Sequence, residues 1–432
     1  MKVITAPTEV ISSFIKKENY DESRSWSTGV FCISLDVTGG SLLYNTLSGE
    51  MVFLETGEWP CSYLASHGFI VPSGKDEQKQ CDELRSTLRF VQDAKTSGFN
   101  TYTILPTSDC NARCFYCYEL GCEKMTMTPA DAEKVADYIL RTCAKGTLKL
   151  RWFGGEPLCN SSVIDIICRH LAAGGKSFES AVVSNGYLFD EELVKKAAEL
   201  WNLKNVQITL DGTEAVYNKR KAFPSDRDGA FRRVTENIRL LAEHKIKVHI
   251  RLNADNSNLK DLSMLADQLS AMYNDKGSLN VYVSPIFSAD LDASEEDRAR
   301  LYEGIEALES KLKSLGLRKI KPLSGGLRIN NCLADNAAAV TILPDGRLHS
   351  CEHFNQNHCF GSIDSDTPRS SDLDYWRQVH AKLPECAGCA AYPQCIRPLH
   401  CPDIDAACSA QARQRTLKKI EERMLETYNS IK

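Results

Sequence analysis

Residues 148–184 read LKLRWFGGEPLCNSSVIDIICRHLAAGGKSFESAVVS, two short β-like runs on either side of a segment with helical periodicity. The same alternation recurs between residue 102 and about residue 315, with predicted strands at 102–106, 148–153, 178–184, 205–210, 247–253 and 279–285. Because each crossover helix returns the chain to the same end of the sheet, these β-then-α units predict a parallel sheet. We expect an α/β fold, a partial (β/α)6 TIM barrel, with functional residues in the loops that follow the strands.

Composition and charge narrow the class of protein. The chain has 432 residues, of which 43% are hydrophobic and 25% charged, and its net charge is −5. These are ordinary values for a globular protein, and the slight acidic excess argues against a nucleic-acid partner. The sequence shows no apolar run of the roughly 20 residues that cross a bilayer, and its start has no apolar signal-peptide region. We therefore predict a cytoplasmic protein with no membrane partner.

The segments on either side of the βα series differ from it. Residues 1–95 hold short strand-like runs broken by turn residues and then a polar helix, which predicts a small α+β module. From about residue 325 the chain is rich in loops and cysteines, and it ends in an amphipathic helix at roughly 410–430. The predicted domains are 1–95, 96–320 and 321–432.

Cysteine usage is the unusual feature of the composition. The chain has 18 cysteines, and in a reducing compartment they indicate metal binding better than disulfides. Cys110, Cys114 and Cys117 have the spacing CX3CX2C directly after the first strand of the series. Three thiolates can hold three irons of a 4Fe-4S cluster and leave the fourth iron open to an exogenous ligand, unlike clusters with four cysteine ligands. The alternative is a zinc site, which usually takes four closed ligands.

With this motif the chain resembles the radical S-adenosylmethionine (SAM) superfamily, whose members bind SAM at the open iron and cleave it reductively. The resemblance extends over FGGEP (153–157), SNG (184–186), ITLDG (208–212) and RLN (251–253). It implies a 4Fe-4S cluster on the three cysteines and SAM contacts from Tyr116, Gly154, Gly155, Glu156, Ser184, Asp211, Lys221 and Arg251. Related enzymes often have an arginine where this chain has Lys221, which is a point charge without the guanidinium fork.

The later cysteines form a second pattern, CX13GX4C from Cys332 to Cys351 and CX2CX5CX5CX6C from Cys386 to Cys408. This pattern resembles the SPASM extension of peptide-modifying radical SAM enzymes, although the usual third spacer has three residues instead of five. The resemblance implies two auxiliary 4Fe-4S clusters, the first on Cys332, Cys351 and Cys401 and the second on Cys386, Cys389, Cys395 and Cys408, hence three clusters in all. Either one iron of the first auxiliary cluster is open or Cys359 completes it. A zinc ribbon is the alternative for this segment.

The N-terminal module has the size and hairpin content of the winged-helix-like modules by which peptide maturases bind a precursor leader as an extra strand. A structural cap is the alternative for this module. The leading hypothesis is a maturase that installs a thioether or C–C crosslink in a ribosomally made precursor peptide. Its partners would be that peptide, with its leader, and an electron donor such as flavodoxin or ferredoxin.

Two other functions remain open. CEHF (351–354) resembles anaerobic sulfatase-maturing enzymes, which carry an acidic general base after the matching cysteine, and Glu352 holds that position. The first alternative is therefore an enzyme that oxidises Cys or Ser to formylglycine. The second is a zinc-binding protein without catalysis.

Overall fold

The computed structural model describes residues 1–15, 17–226, 228–273, 277–286, 294–353, 359–365, 369–401 and 408–431. The chain divides into two compact units. The parallel-sheet unit comprises residues 96–319 and 337–372, and the terminal unit comprises residues 1–95, 320–336 and 373–432. Residues 337–372 of the predicted C-terminal domain thus fall in the parallel-sheet unit. The division into three separate folding modules stays a prediction.

The N-terminal part of the terminal unit contains two antiparallel sheets. Its elements are β1 (Lys2–Thr5), α1 (Glu9–Phe14), β2 (Trp26–Thr28), β3 (Cys32–Val37), β4 (Gly40–Asn45), β5 (Met51–Glu55), α2 (Cys61–Ser66), β6 (Ile70–Pro72) and α3 (Glu77–Lys95). One sheet has the order β1-β5-β4-β3, so that β1 and β3 are its edge strands, and β2 pairs with β6 in the other. The short runs and turns of the sequence predict strands and a helix in this segment, and its identity as a small α+β module stays a prediction.

The βα series forms the parallel-sheet unit. Its strands and helices are β7 (Thr101–Thr107), α4 (Pro129–Thr142), β8 (Leu148–Gly154), α5 (Ser161–Ala173), β9 (Phe178–Ser184), α6 (Glu191–Glu199), β10 (Leu203–Leu210), α7 (Glu214–Lys221), α8 (Ala230–Glu243), β11 (Lys247–Ala254), α9 (Leu259–Met272), β12 (Leu279–Pro285) and α10 (Glu295–Ser314). Strands β7 to β12 are parallel to their neighbours, which confirms the predicted parallel sheet. Helix α4 begins as its sequence indicates, because the Thr128 side chain accepts a hydrogen bond from the backbone N–H of Asp131 and Pro129 follows the cap.

The sheet extends beyond the predicted strands. Later elements are β13 (Ala339–Ile342), β14 (Arg347–His349), β15 (Gly361–Ser362) and α11 (Ser370–Trp376). The strand order is β12-β11-β10-β9-β8-β7-β13-β14-β15, with β13 parallel to β7 and the last two strands antiparallel. Strand β13 pairs with a segment more than 200 residues earlier, and this pairing is invisible to local periodicity.

Strand alternation decides which face of the parallel sheet is buried. One set of side chains, including Leu150, Trp152, Ile208 and Ile250, is at most 2% exposed and lies in the main apolar core with helix residues such as Val135. Most of the alternate positions are half-buried or exposed, and several carry polar residues such as Arg151, Gln207 and Arg251. Because successive side chains on a strand point to opposite faces, the second face of the sheet is polar.

The terminal unit has its own core, to which both ends of the chain contribute. Helix α12 (Ala410–Asn429) places Ile420 and Met424 in one buried cluster with Leu42 and Met51 of the N-terminal sheet. The Thr46 hydroxyl donates a 2.5 Å hydrogen bond to the carbonyl oxygen of Ala390. The N-terminal sheet is therefore part of the core on which Cys389 packs. Within the described residues, every helix is too short or too polar to span a bilayer.

Candidate active site

The first cysteine motif lies in the loop between β7 and α4. The Sγ atom of Cys110 accepts contacts from the backbone N–H of Ala112 at 3.4 Å and from Nδ2 of Asn185 at 3.8 Å. Burial raises the pKa of Cys110 to about 12 and also raises the pKa of Cys117. Thiols in this environment become thiolate ligands when a metal compensates their charge. Among the residues with described coordinates, no three Cys, His, Asp or Glu side chains converge closely enough to hold a metal ion.

Two glycines bring the end of β8 against the start of this loop. Gly154 has a φ of +121°, and a Cβ atom there would lie 2.3 Å from the carbonyl oxygen of Thr107. A Cβ atom on Gly155 would lie 2.4 Å from the carbonyl oxygen of Asp109. The backbone N–H of Gly155 donates to Thr107 and that of Glu156 donates to Asp109, at 3.1 and 2.8 Å. Any side chain at either glycine would separate the strand from the cluster loop.

Glu156 is fully buried and joins the ends of β8 and β9. Its Oε1 accepts hydrogen bonds from the Ser184 hydroxyl at 2.8 Å and from the Leu158 N–H at 3.2 Å, and its Oε2 accepts one from the Asn185 N–H at 2.7 Å. Burial raises the pKa of Glu156 to about 7. Two residues predicted to contact SAM are therefore bonded to each other in this structure, and their contacts with SAM stay predictions.

Four side chains meet at the ends of β10 and β11. The Tyr116 hydroxyl donates to Oδ2 of Asp211 at 2.5 Å and accepts from Nζ of Lys221 at 2.9 Å and from Nδ2 of Asn253 at 3.1 Å. The Lys221 Nζ lies 3.5 Å from Oδ2 of Asp211, and the two side chains are 4% and 0% exposed. Burial alone would lower the pKa of Lys221, but Asp211 and its other neighbours together raise it well above its usual range. We call these four residues the Tyr116 network.

The network contains one residue that the sequence analysis did not select. In the motif RLN (251–253) the predicted site residue is Arg251. Asn253 is two residues nearer the C-terminal end of the strand, and its side chain is the one that contacts Tyr116. Asn258 supports this corner, since its Nδ2 donates to the backbone oxygens of Asp211 and Asn253 at 2.8 Å each. Asn253 could have been predicted from the direction of the strand. The last residue of a parallel strand on the inward face lies nearest the loops that carry function.

Arg251 and Glu352 lie outside the Tyr116 network. Arg251 donates through Nη2 to the Ser284 hydroxyl at 2.9 Å. Oε1 of Glu352 forms an ion pair with Nη1 of Arg151 on β8 at 3.0 Å. The neighbouring His353 ring stacks on Tyr118, which follows the first cysteine motif, with 4.2 Å between ring centroids.

The later cysteines are distributed over both units. Burial raises the pKa of Cys395, and the nearby thiols of Cys408, Cys389 and Cys386 raise it further, so the four predicted ligands of the second auxiliary cluster are electrostatic neighbours. Of the first predicted set, Cys332 and Cys401 belong to the terminal unit, and Cys351 belongs to the parallel-sheet unit.

Cys359 has a different environment from the other late cysteines. It belongs to the parallel-sheet unit and packs in an apolar cluster with Leu105, Leu343, Met125 and Phe153. Burial raises the pKa of its thiol. Its suggested role as a ligand of the first auxiliary cluster stays a prediction.

Two buried polar atoms, one of them in the Cys110 loop, fit a bound polar cofactor. Oδ1 of Asp211 and Nδ2 of Asn111 are buried, and neither has a hydrogen-bond partner among the described residues. Unsatisfied buried polar atoms are rare in native proteins, and a bound ligand that supplies their partners accounts for them. Oδ1 of Asn111 also accepts a 2.6 Å hydrogen bond from Nδ2 of Asn185, which joins the end of β9 to the Cys110 loop.

Comparison with known sequences matches residues 104–269 to the radical SAM superfamily. An uncharacterized protein of Methanocaldococcus jannaschii is 24% identical over 273 residues, which are 62% of this chain and 89% of the relative. Fe-coproporphyrin III synthase of Methanosarcina barkeri is 25% identical over 207 residues, 47% of this chain and 48% of that enzyme. The chain thus spans about half the length of this named relative.

Two solved structures share the fold. The protein anSMEcpe with bound AdoMet aligns with a TM-score of 0.57 and 15% identity, over 76% of this chain and 99% of the other. SuiB of Streptococcus suis bound to its precursor peptide SuiA aligns with a TM-score of 0.54 and 13% identity, over 89% of this chain and 99% of the other. At these identities the likeness concerns the fold alone. The superfamily match confirms what the first cysteine motif predicted: residues 104–269 form a radical SAM domain, which is an enzyme domain.

Proposed function

We propose that this protein is a radical SAM maturase that installs a thioether or C–C crosslink in a ribosomally made precursor peptide. The observation that carries the proposal is the Cys110–Cys117 loop seated on Gly154 and Gly155 beside the Tyr116 network. When bound, a 4Fe-4S cluster and SAM supply one-electron reductive cleavage to a 5′-deoxyadenosyl radical. Cys110, Cys114 and Cys117 would hold that cluster, and the proposed electron donor is a protein such as flavodoxin or ferredoxin.

The chain's own residues would bind and orient the cofactor. Gly154 and Gly155 let the backbone approach the cluster loop, where Glu156 and Ser184 fix the polar groups that would face the SAM amino group and ribose. Lys221 is a buried cation that would face the SAM carboxylate. Three hydrogen bonds fix the Tyr116 hydroxyl, which would hold its ring in one orientation beside the adenine.

The finer architecture is also part of the proposal. We propose that the six parallel βα units form a partial (β/α)6 TIM barrel, that residues 1–95 are a winged-helix-like leader-binding module and that residues 321–432 form a SPASM domain. The likeness in fold to SuiB bound to its precursor peptide supports a peptide substrate. The influence of the Cys386, Cys389 and Cys408 thiols on the pKa of Cys395 supports an auxiliary cluster in the terminal unit.

A second candidate function rests on Glu352. This carboxylate faces the sheet through its ion pair with Arg151, and anSMEcpe, a sulfatase maturase, shares the fold. Formylglycine formation would use Glu352 as general base on a Cys or Ser substrate. Product analysis separates the two functions, since a crosslink joins two residues of one peptide whereas formylglycine replaces a single residue.

Iron content tests the number of clusters. Anaerobic reconstitution is expected to load about twelve iron atoms per chain, because three 4Fe-4S clusters are proposed. Replacing Cys386, Cys389 and Cys395 together by alanine should reduce the value to about eight. The single change Cys61→Ala, outside both motifs, is the control and should leave the iron content unchanged. A wild-type plateau near about four irons would remove the auxiliary clusters from the proposal.

Leader binding is expected at the free edge of β3. Deleting residues 1–95 cannot test it, because their sheet shares a core with α12. Val37 and Gly40 flank a two-residue turn and form a hydrogen-bonded pair. Hydrogen-bonded and non-hydrogen-bonded pairs alternate along the hairpin, so that Ser34 and Leu43 form a non-hydrogen-bonded pair. The Ser34 N–H therefore points away from β4, to the outer edge of the sheet. Ser34→Pro removes that donor and should weaken binding of a labelled leader about tenfold, measured by fluorescence anisotropy.

The matched control for this prediction is Ser34→Ala, which keeps the N–H and removes only the hydroxyl. It should bind the leader with an affinity within about twofold of wild type. The peptide to label is a small cysteine-rich precursor, to be sought among the open reading frames beside the gene of this chain. Wild-type affinity in Ser34→Pro would show that the leader does not pair with β3.

A further inference from the structure

The polar face of the parallel sheet carries more positive than negative charge. Arg151 on β8 and Arg251 on β11 occupy positions that alternate with buried core residues, and Gln207, Tyr282 and Ser284 share this face. The carboxylate of Glu352 pairs with Arg151 at 3.0 Å, and that of Glu179 on the same face lies at the exposed start of β9, beside Lys149. The guanidinium group of Arg151 is therefore neutralised, and that of Arg251 is not.

Arg251 is the guanidinium group without a counter-charge. None of the carboxylates that the structure describes lies within ion-pair distance of it, and it makes one hydrogen bond, to the Ser284 hydroxyl at 2.9 Å. Its Nε is buried and has no hydrogen-bond partner in the described part of the chain. A buried donor without a partner is unfavourable, and a carboxylate satisfies Nε and an Nη together through the planar fork.

The positive charges of Arg151 and Arg251 both affect Tyr282 on this face. The Tyr282 hydroxyl donates to Oε1 of Gln207 at 2.9 Å. Tyr282 is the direct cross-strand neighbour of Arg251, on β12 and β11. Burial raises the pKa of Tyr282, and the positive charges of Arg251 and Arg151 partly oppose that rise. The space beside Tyr282 is therefore positively polarised and offers a free guanidinium edge.

We propose that Arg251 binds a carboxylate of the peptide substrate, an Asp or Glu side chain close to the residue that is modified. The inference rests on the proposed function and names a specificity determinant for it. Asn253 reaches Tyr116, whereas Arg251 lies two residues further into the sheet, about 7 Å away along the strand. Lys221 is the buried cation that belongs to the Tyr116 network, 2.9 Å from the Tyr116 hydroxyl, which leaves Arg251 for the substrate and not for SAM.

Ligand-observed saturation-transfer NMR on the reconstituted, SAM-bound enzyme tests this proposal. The probes are N-acetyl-aspartate methylamide and its asparagine analogue, which differ only in the carboxylate. Wild type should bind the aspartate probe at least about tenfold more tightly than the asparagine probe, as expected for a charged hydrogen-bonded pair. Arg251→Met should abolish that preference, and Arg251→Lys should retain part of it. The control is Arg239→Met, an exposed residue of α8 that pairs with Glu236.

A second measurement separates the two sources of a carboxylate. The dissociation constant of SAM, determined by equilibrium dialysis, should be the same for Arg251→Met and wild type. Weaker SAM binding with an unchanged preference for aspartate would assign Arg251 to the SAM carboxylate and overturn the proposal. Equal binding of the two probes by wild type, or binding of neither, would also overturn it. If the wild-type enzyme binds no SAM at all, it is the proposed function that fails.

Discussion

Replacing Cys110, Cys114 and Cys117 together by alanine is expected to abolish reductive cleavage of SAM. The three thiols are the proposed ligands of the cluster that delivers the electron, and no other cysteine belongs to that motif. Formation of 5′-deoxyadenosine from SAM and dithionite should fall at least about 1000-fold, equivalent to about 4 kcal/mol of activation free energy. Chromatography of the products under anaerobic conditions provides the measurement.

This experiment needs a control for folding and one for cysteine chemistry. The triple variant should keep about eight of about twelve irons, because the auxiliary clusters would remain. Cys122→Ala changes a half-buried cysteine five residues after the motif and should leave the rate within about twofold. If 5′-deoxyadenosine still forms at the wild-type rate in the triple variant, SAM is cleaved elsewhere or not by this protein.

The second large effect is expected on stability, from Lys221→Met. Lys221 is 4% exposed and lies 3.5 Å from Asp211, which is fully buried. Removing one partner of a buried ion pair leaves the other charge uncompensated, at a cost of about 3–5 kcal/mol. The urea midpoint of the full chain, followed by circular dichroism in the absence of iron and SAM, should fall accordingly.

Two further variants identify the cause of that loss. Lys219→Met removes an exposed lysine from the same helix α7 and should change stability by less than about 0.5 kcal/mol. Adding Asp211→Asn to Lys221→Met removes the unpaired charge while keeping an acceptor for the Tyr116 hydroxyl, so part of the stability should return. Equal midpoints for Lys221→Met and Lys219→Met would contradict the assignment of a buried ion pair.

Local signals account for most of the fold. The period of two in β8 and β9 and the helical period of α5 are properties of short windows, so the alternation of strand and helix could be predicted without tertiary information. The capping box of α4 is equally local. Strand β13 could not be predicted, because its four residues lie in the cysteine-rich segment and pair with β7 across the whole βα series.

The candidate site likewise has features that local sequence predicts and features that only the tertiary structure shows. The spacing of Cys110, Cys114 and Cys117 and the position of Gly154 at a strand end are visible in the sequence, because metal ligands and close backbone approach need particular residue types. The partners of Glu156 are not visible, since Ser184 and Asn185 are 28 and 29 residues away in the chain. The family resemblance implies SAM contacts for both Glu156 and Ser184, which stay predictions, and only the fold shows that the two side chains are hydrogen-bonded to each other.

The amino-acid sequence settled the chemistry available to this protein, because cysteine spacing and strand-end motifs are local in the chain. Tertiary structure decided which charges are compensated. It pairs Lys221 with Asp211 across α7 and β10, brings Asn253 to Tyr116 and pairs Arg151 with Glu352, but leaves Arg251 without a carboxylate among the described residues. It also joins the N-terminal sheet and α12 in one core. Contacts of this kind depend on where distant segments meet in the packed core, and no local period or spacing contains that information.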